Sequence, residues 1–253
     1  MGDVKKIAII FAGGTGVRMK ADIPKQFLRI YDKEIIIHTL EKFQYNDNID
    51  LIYVGCIKEY IDELETLVKK YNITKIPIDG IIPGGDSGQD TIYRVLKKAQ
   101  EENFDDSICL IHDGVRPLIN DDIINKNIES VKKYGSAVTA ARVLETPFIS
   151  EDGESVKEVL ERKCTYVAKA PQSFYLGDII KAHEKIRSTE LGYNNPKIVD
   201  SCSLMKECGN NIHIIEGNHV NIKVTTVEDY ITLLANLSIR DQEQIYELNH
   251  KED

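Results

Sequence analysis

An apolar run, Ile7-Ala8-Ile9-Ile10-Phe11, passes directly into Ala12-Gly13-Gly14-Thr15-Gly16-Val17-Arg18-Met19, and Pro24-Lys25-Gln26 follows shortly after. A buried strand that ends in a glycine-rich turn carrying cations leaves few fold classes open. Glycines let the backbone close on phosphate oxygens and turn N–H groups toward them. Arg18 and Lys25 supply positive charge suited to the β- and γ-phosphates of a nucleoside triphosphate. A P-loop would end in Gly-Lys-Ser/Thr, and this turn does not. A dinucleotide fingerprint would put a third glycine where Met19 stands. An ordinary tight strand-to-helix turn is the plain alternative, and the added Arg18 and Pro24-Lys25-Gln26 count against it.

Further apolar runs at 51–55, 108–112 and 137–141 alternate with helix-like patterns at 35–43, 60–71, 91–103 and 122–134. This rhythm predicts an α/β fold with a doubly wound, mostly parallel, Rossmann-like sheet. Ligands in such sheets sit beyond the strand C-termini, where the motif loops gather. At 253 residues the chain can bury a full core and still be one domain, here expected over residues 1–240. A last helix is expected over 227–238, followed by a polar tail over 241–253. Residues 142–174 break the alternation with Pro147, the turn Glu151-Asp152-Gly153-Glu154 and β-leaning flanks. They read either as an inserted β-arm that pairs with a second subunit or as a plain surface hairpin.

The net charge of −9 argues against nucleic acid or an anionic membrane as the main partner. It leaves room for a local cationic pocket. Cys56, Cys109, Cys164, Cys202 and Cys208 form no Cys-x-x-Cys pair, which suits buried thiols in a reducing compartment. The N-terminal apolar run is too short for a signal peptide or a bilayer span, so a cytoplasmic location is expected.

Later motifs turn this outline into a resemblance. Pro24-Lys25-Gln26-Phe27, Pro83-Gly84-Gly85 with Gln89-Asp90-Thr91-Ile92, and His112-Asp113-Gly114-Val115-Arg116-Pro117 occur in order. Ala170-Pro171-Gln172-Ser173-Phe174 and Asn221-Ile222-Lys223-Val224-Thr225-Thr226-Val227-Glu228-Asp229 follow them. With the opening glycine turn, these stretches resemble the cytidylyltransferases that couple CTP to polyol phosphates, the 2-C-methyl-D-erythritol 4-phosphate and ribitol 5-phosphate enzymes.

The resemblance implies roles for particular residues. Arg18, Lys25 and Lys223 would surround the triphosphate as catalytic cations, while Ala12, Gly13, Gly14, Gly84, Gly85 and Thr91 would read the cytosine. Asp113 would hold Mg²⁺, and Arg116 would orient that loop or contact ligand. Thr146 and Arg162 would bind the polyol phosphate from a neighbouring subunit's arm, which implies a homodimer built through residues 142–174. Each role has a plainer competitor: Asp113 as a turn cap, Arg116 as a structural ion pair, Lys223 as a solvated lysine after a strand-like run. His112 reads as a packed, hydrogen-bonded histidine, and Asp200 and Asp229 as further pocket carboxylates.

A phosphate monoester acceptor is already a nucleophile, so the pattern needs cations and no nucleophile–base pair. Three positions depart from the family pattern: Gly88 stands where an arginine is usual, Ala170 replaces a threonine, and Glu145 replaces an aspartate. Arg94 is a candidate to supply the cation that Gly88 lacks. The Pro24-Lys25-Gln26-Phe27 and Thr225-Thr226-Val227-Glu228-Asp229 variants lean toward ribitol 5-phosphate as acceptor. A methylerythritol phosphate enzyme of isoprenoid synthesis is the near alternative, and an idle nucleotide-binding relative the more distant one.

Overall fold

The computed structural model describes residues 4–14 and 23–240. The chain runs β1 (Lys6–Ala12), β2 (Arg29–Ile30), β3 (Lys33–Glu34), α1 (Ile35–Gln44), β4 (Leu51–Cys56), α2 (Ile61–Lys70), β5 (Ile81–Pro83), α3 (Gly88–Glu102) and β6 (Ile108–Asp113). It continues with α4 (Asp121–Tyr134), β7 (Ser136–Arg142), β8 (Phe148–Ile149), β9 (Glu158–Val159), β10 (Tyr166–Tyr175), α5 (Leu176–Arg187), α6 (Ser201–Glu207), β11 (Ile214–Glu216) and α7 (Val227–Arg240).

Seven strands form one sheet in the order β11-β7-β10-β6-β1-β4-β5. Pairing is parallel except along β10, which runs antiparallel to both β6 and β7. Side chains alternate across β1 with the strand period of two. Ala8, Ile10 and Ala12 face a core layer shared with α1, α2 and α4, including Leu40, Phe43, Leu64, Ile124 and Val131. Ile7 and Ile9 face the opposite layer, with Val95, Leu96, Ile179, Ile180 and Leu204 from α3, α5 and α6. Because both faces are covered, β1, β4 and β6 read as nearly unbroken apolar runs.

Helix starts are fixed locally. The Ser87 hydroxyl accepts the Asp90 N–H at α3, and the Asn120 side chain accepts the Ile123 N–H at α4. Gly135, at φ 79°, closes α4 in the left-handed conformation that a side chain would disfavour.

Two expectations need correction. Of the stretch 142–174 expected as an arm, Arg142 at the end of β7 and residues 166–174 of β10 lie in the sheet, and of its strands only the β8–β9 hairpin stands apart. Residues 221–226 are a loop, not the end of a strand. A third apolar cluster, with Ile30, Ile35, Val115, Leu118, Val224 and Leu233, anchors that loop and α7 to the body. The tail expected at 241–253 lies outside the described residues.

Candidate active site

The loop after β1 is held by a residue of the Pro24-Lys25-Gln26-Phe27 motif. Gln26 is 1% exposed, and its Nε2 donates to Ala12 O at 2.7 Å and to Gly14 O at 3.2 Å. Phe27 is buried and packs on Tyr60, with ring centroids 4.8 Å apart. Lys25, first residue of a short 3-10 turn ending at Phe27, is thereby tied to the glycine loop. Arg18 lies outside the described residues.

A second loop meets the first across Thr91. The Gly84 N–H donates to Cys56 O, extending the β4–β5 pairing by one residue. Thr91 Oγ1 accepts the Gly85 N–H at 2.9 Å and donates to Ser87 O at 2.9 Å. A Cβ on Gly13 would come within 3.0 Å of Thr91 Oγ1, and one on Gly84 within 3.2 Å. A Cβ on Gly85 would overlap the Asp90 carboxylate. Thr91 therefore spends its hydroxyl on shaping the slot, and backbone groups line it. Asp90 supports the arrangement by accepting from Arg94 Nε at 2.9 Å and Arg187 at 2.7 Å. Burial alone would raise the Asp90 carboxyl, but these guanidiniums hold it below the usual range. Arg94 also donates to Gly84 O at 3.3 Å, so it braces the loop beside Gly88.

The charged half of the site forms at the end of β6. Asp113 lies opposite Phe11 in the register of β1 and β6 and is 5% exposed. Its Oδ2 accepts from Arg116 Nε at 2.7 Å, and Lys223 Nζ approaches Oδ1 at 2.5 Å. That second approach is ionic, off the direction of a well-formed hydrogen bond. Burial would raise the Asp113 carboxyl, but the charges of Lys223 and Arg116 outweigh it and hold it below the ordinary carboxylate range. Arg116 donates onward to Asn221 O at 2.9 Å, and Asn221 donates to Ala170 O at 2.9 Å. The turn after β6, the 221–226 loop and β10 are thus locked together. Beneath them, buried His112 donates from Nε2 to Arg116 O at 3.1 Å. Burial lowers its pKa to about 4, so it is neutral at pH 7.

A cavity of about 360 Å³ opens over this cluster, lined among others by Phe11, Gly88, Asp113, Arg116, Lys169 and Lys223. As a metal donor set it offers one carboxylate. Among the described residues, no group of three or more His, Cys, Asp or Glu could hold a metal ion. Mg²⁺ commonly takes one or two carboxylates plus substrate phosphates, so Asp113 fits such an ion in the company of phosphate oxygens.

The sequence of residues 6–240 matches the family model described as 2-C-methyl-D-erythritol 4-phosphate cytidylyltransferase. The chain belongs to this cytidylyltransferase family. A ribitol-5-phosphate cytidylyltransferase of Vibrio parahaemolyticus is 46% identical over 241 residues, covering 95% of this chain and 99% of the relative. A 2-C-methyl-D-erythritol 4-phosphate cytidylyltransferase of Clostridium botulinum is 34% identical over 227 residues, covering 90% and 95%. Among solved structures, the 4-diphosphocytidyl-2C-methyl-D-erythritol synthase of Anaerococcus prevotii superposes with a TM-score of 0.78 at 26% identity, over 92% of this chain and 96% of that one. The protein is thus a CTP-dependent nucleotidyltransferase with the α/β sheet of that family.

Within this cytidylyltransferase fold, Ala12, Gly13, Gly84, Gly85 and Thr91 come together, and Asp113, Arg116 and Lys223 form one cluster. Gly14 joins the first group through Gln26. Thr146 and Arg162 do not line the deep cavity of their own chain. Both are exposed on the arm side; Arg162 donates to Leu144 O at 3.3 Å, and Thr146 borders a separate surface hollow with Lys169 and His219. Asp200 lines the cavity, whereas Asp229 accepts from Thr225 and Thr226 and caps α7 outside it. Cys164 is exposed, contrary to the expectation of buried thiols, because it sits in the arm. Two site residues escaped the sequence reading. Gln26 was visible only as part of a motif credited to its lysine. Lys169 borders both the cavity and the arm hollow, and its signal was its place beside Ala170-Pro171-Gln172.

Proposed function

We propose that the protein transfers the cytidylyl group of CTP to ribitol 5-phosphate, giving CDP-ribitol and pyrophosphate. The observation that carries the acceptor is the step from 46% identity with the Vibrio ribitol enzyme to 34% with the Clostridium methylerythritol enzyme, both over nearly the whole chain. The cationic cavity suits this chemistry, since two anions must be held together for reaction.

The acceptor phosphate carries a charge of about −1.5 to −2 at pH 7 and needs no protein base. One of its oxygens attacks the α-phosphorus in line. A new phosphorus–oxygen bond forms, the bond to the bridging oxygen of the β-phosphate breaks, and pyrophosphate leaves with the electron pair. Lys25 and Lys223, with Arg18, offset the charge on the triphosphate. Arg116 fixes the Asp113 carboxylate, and neutral His112 holds the turn that carries Arg116. Bound Mg²⁺ would neutralise phosphate charge, and Asp113 would hold it together with triphosphate oxygens. The glycine slot positions the base through backbone groups.

The arm supports a homodimer in which Thr146 and Arg162 reach a partner's acceptor. Phe148, Val156 and Val159 on it are more than half exposed, a surface that suits burial against a second copy. The reaction is assigned to the cytoplasm, where its product would feed surface-glycan synthesis; no described helix is long and apolar enough to cross a membrane. Incubation with CTP labelled at the α-phosphate tests the reading. Label is expected in CDP-ribitol with unlabelled pyrophosphate released, and label confined to CTP and CMP would count against it.

A further inference from the structure

The turn at 84–86 rests on a carboxylate that two arginines share. Asp90, in the first turn of α3, is buried. Its Oδ2 accepts the Asp86 N–H at 3.3 Å and Arg94 Nε at 2.9 Å. Gly85 lies directly against the same carboxylate, where a Cβ would overlap it. Arg94 stands one helical turn from Asp90 on the same helix, so that pair moves with α3. Oδ1 is held from elsewhere. It accepts Arg187 Nη1 at 2.7 Å, from the last turn of α5 and 97 residues along the chain. Both carboxylate oxygens are thereby engaged, and the group cannot rotate without breaking a charge-assisted hydrogen bond.

Arg187 is itself fixed. Its guanidinium lies over the Tyr93 ring at 4.5 Å to the centroid and over the Tyr193 ring at 5.5 Å. The Tyr193 hydroxyl pairs with His183 Nδ1 at 2.6 Å, and His183 is buried. Two aromatic rings, one of them anchored through His183, set the guanidinium, and the guanidinium sets the carboxylate. Burial alone would raise the Asp90 carboxyl, and the Arg187 hydrogen bond is the largest influence opposing it. A plain brace between α3 and α5 is the simpler reading. Two contacts go beyond it: the carboxylate that Arg187 grips is the surface Gly85 lies on, and its other oxygen carries the Asp86 N–H.

We propose that Arg187 is a positioning residue for base selection: by pinning Asp90 it holds the 84–86 turn in the geometry that reads cytosine. The proposal rests on the assignment of the glycine slot to the base and adds the residue that keeps the slot selective. Cytosine presents an amino donor and a ring acceptor where uracil presents a carbonyl and an N–H. A slot that reads this edge with backbone groups discriminates only while those groups stay in register with it, because a mismatched base leaves them unpaired.

The test measures Kd for CTP and for UTP by calorimetry at fixed Mg²⁺, without acceptor, in wild type, Arg187→Met, Arg187→Lys, Asp90→Asn and the Arg187→Met/Asp90→Asn double variant. Arg187→Met is expected to weaken CTP about tenfold and UTP by less than about twofold, the scale of one lost hydrogen bond to a charged group. Arg187→Lys, which keeps the charge but not the planar fork, should recover part of the CTP preference. The double variant should bind CTP no more weakly than Asp90→Asn alone, as for residues that act through one another. A CTP-over-UTP preference unchanged in Arg187→Met, including a parallel loss for both nucleotides, or losses that simply add in the double variant, would overturn the proposal and leave Arg187 a structural brace. Failure of the underlying slot assignment would show separately, as CTP affinity unchanged in Gly85→Ala.

Discussion

Around Thr91 the site is made of backbone and glycine, whereas around Asp113 it is made of long charged side chains drawn from distant parts of the chain. In the first region the loops after β1 and β5 approach so closely that Gly13, Gly84 and Gly85 have little or no room for a Cβ. In the second, Arg116 and Lys223 converge on one buried carboxylate, and Arg116 reaches a carbonyl 105 residues further along. The backbone slot is fixed in shape before ligand arrives, which suits discrimination of a flat base. The ion cluster holds two cations in fixed positions on one buried carboxylate, which suits a reaction in which charge moves from the attacking phosphate oxygen onto the leaving pyrophosphate. Shape and charge handling thus fall to different parts of the site.

The contrast is sharpest for Lys223. Replacing it with alanine is expected to lower kcat by about 10²- to 10³-fold, the scale of losing one preorganised electrostatic partner, with a much smaller effect on CTP affinity. Lys25→Ala is expected to behave alike. Steady-state kinetics beside CTP titration would check both, and near-normal kcat in either variant would remove that cation from the mechanism. Glycine substitutions probe the other half. Gly85→Ala should weaken CTP binding about tenfold through overpacking against Asp90. Gly88→Ala, with open space around its position, should leave CTP binding unchanged. Equal effects of the two would break the claim that shape governs the slot.

Arg162→Ala separates the arm from both halves. The acceptor KM should rise about tenfold with CTP binding untouched, since the change removes binding shared by ground and transition states. Weakened CTP binding would contradict a role confined to the acceptor.

The smallest effect concerns stability, and each half contributes one group to it. His112 lies beneath the ion cluster, and His183 lies near the Arg187–Asp90 pair that supports the slot. Burial lowers their pKa values to about 4 and about 3. Between those values and about 6.5 the unfolded chain binds more protons than the folded one, so stability falls as pH drops through that window. The loss is at most ~1.4 kcal/mol per pH unit for each histidine. Melting temperatures compared at pH 7.5 and 5 should show the decline, and an unchanged Tm would show that these rings are not held neutral.

The same division explains what the sequence made legible. β1, β4, β6 and β7 are buried on both faces and announce themselves as apolar runs, and the slot motifs are contiguous. β10 was absorbed into the expected arm because only its second half is buried and Pro171 interrupts its pattern. α5 and α6 give weak local signals: Gly177 lies in the first turn of the former, and the latter spans only Ser201–Glu207. Residues 221–226 alternate like a strand, yet Val224 makes a single backbone bond to Val115 and the segment joins no ladder. Asp113, Arg116 and Lys223 were each named, but their convergence on one carboxylate depends on how β6 and the loop before α7 meet. No local pattern carries that information.

Pyrophosphate release measured in parallel with ribitol 5-phosphate, 2-C-methyl-D-erythritol 4-phosphate and glycerol 3-phosphate, at fixed CTP and Mg²⁺, bears most directly on the whole assignment. A clear preference for ribitol 5-phosphate is the expected result. A preference for the methylerythritol phosphate, or CTP binding with no release for any of the three, would contradict it.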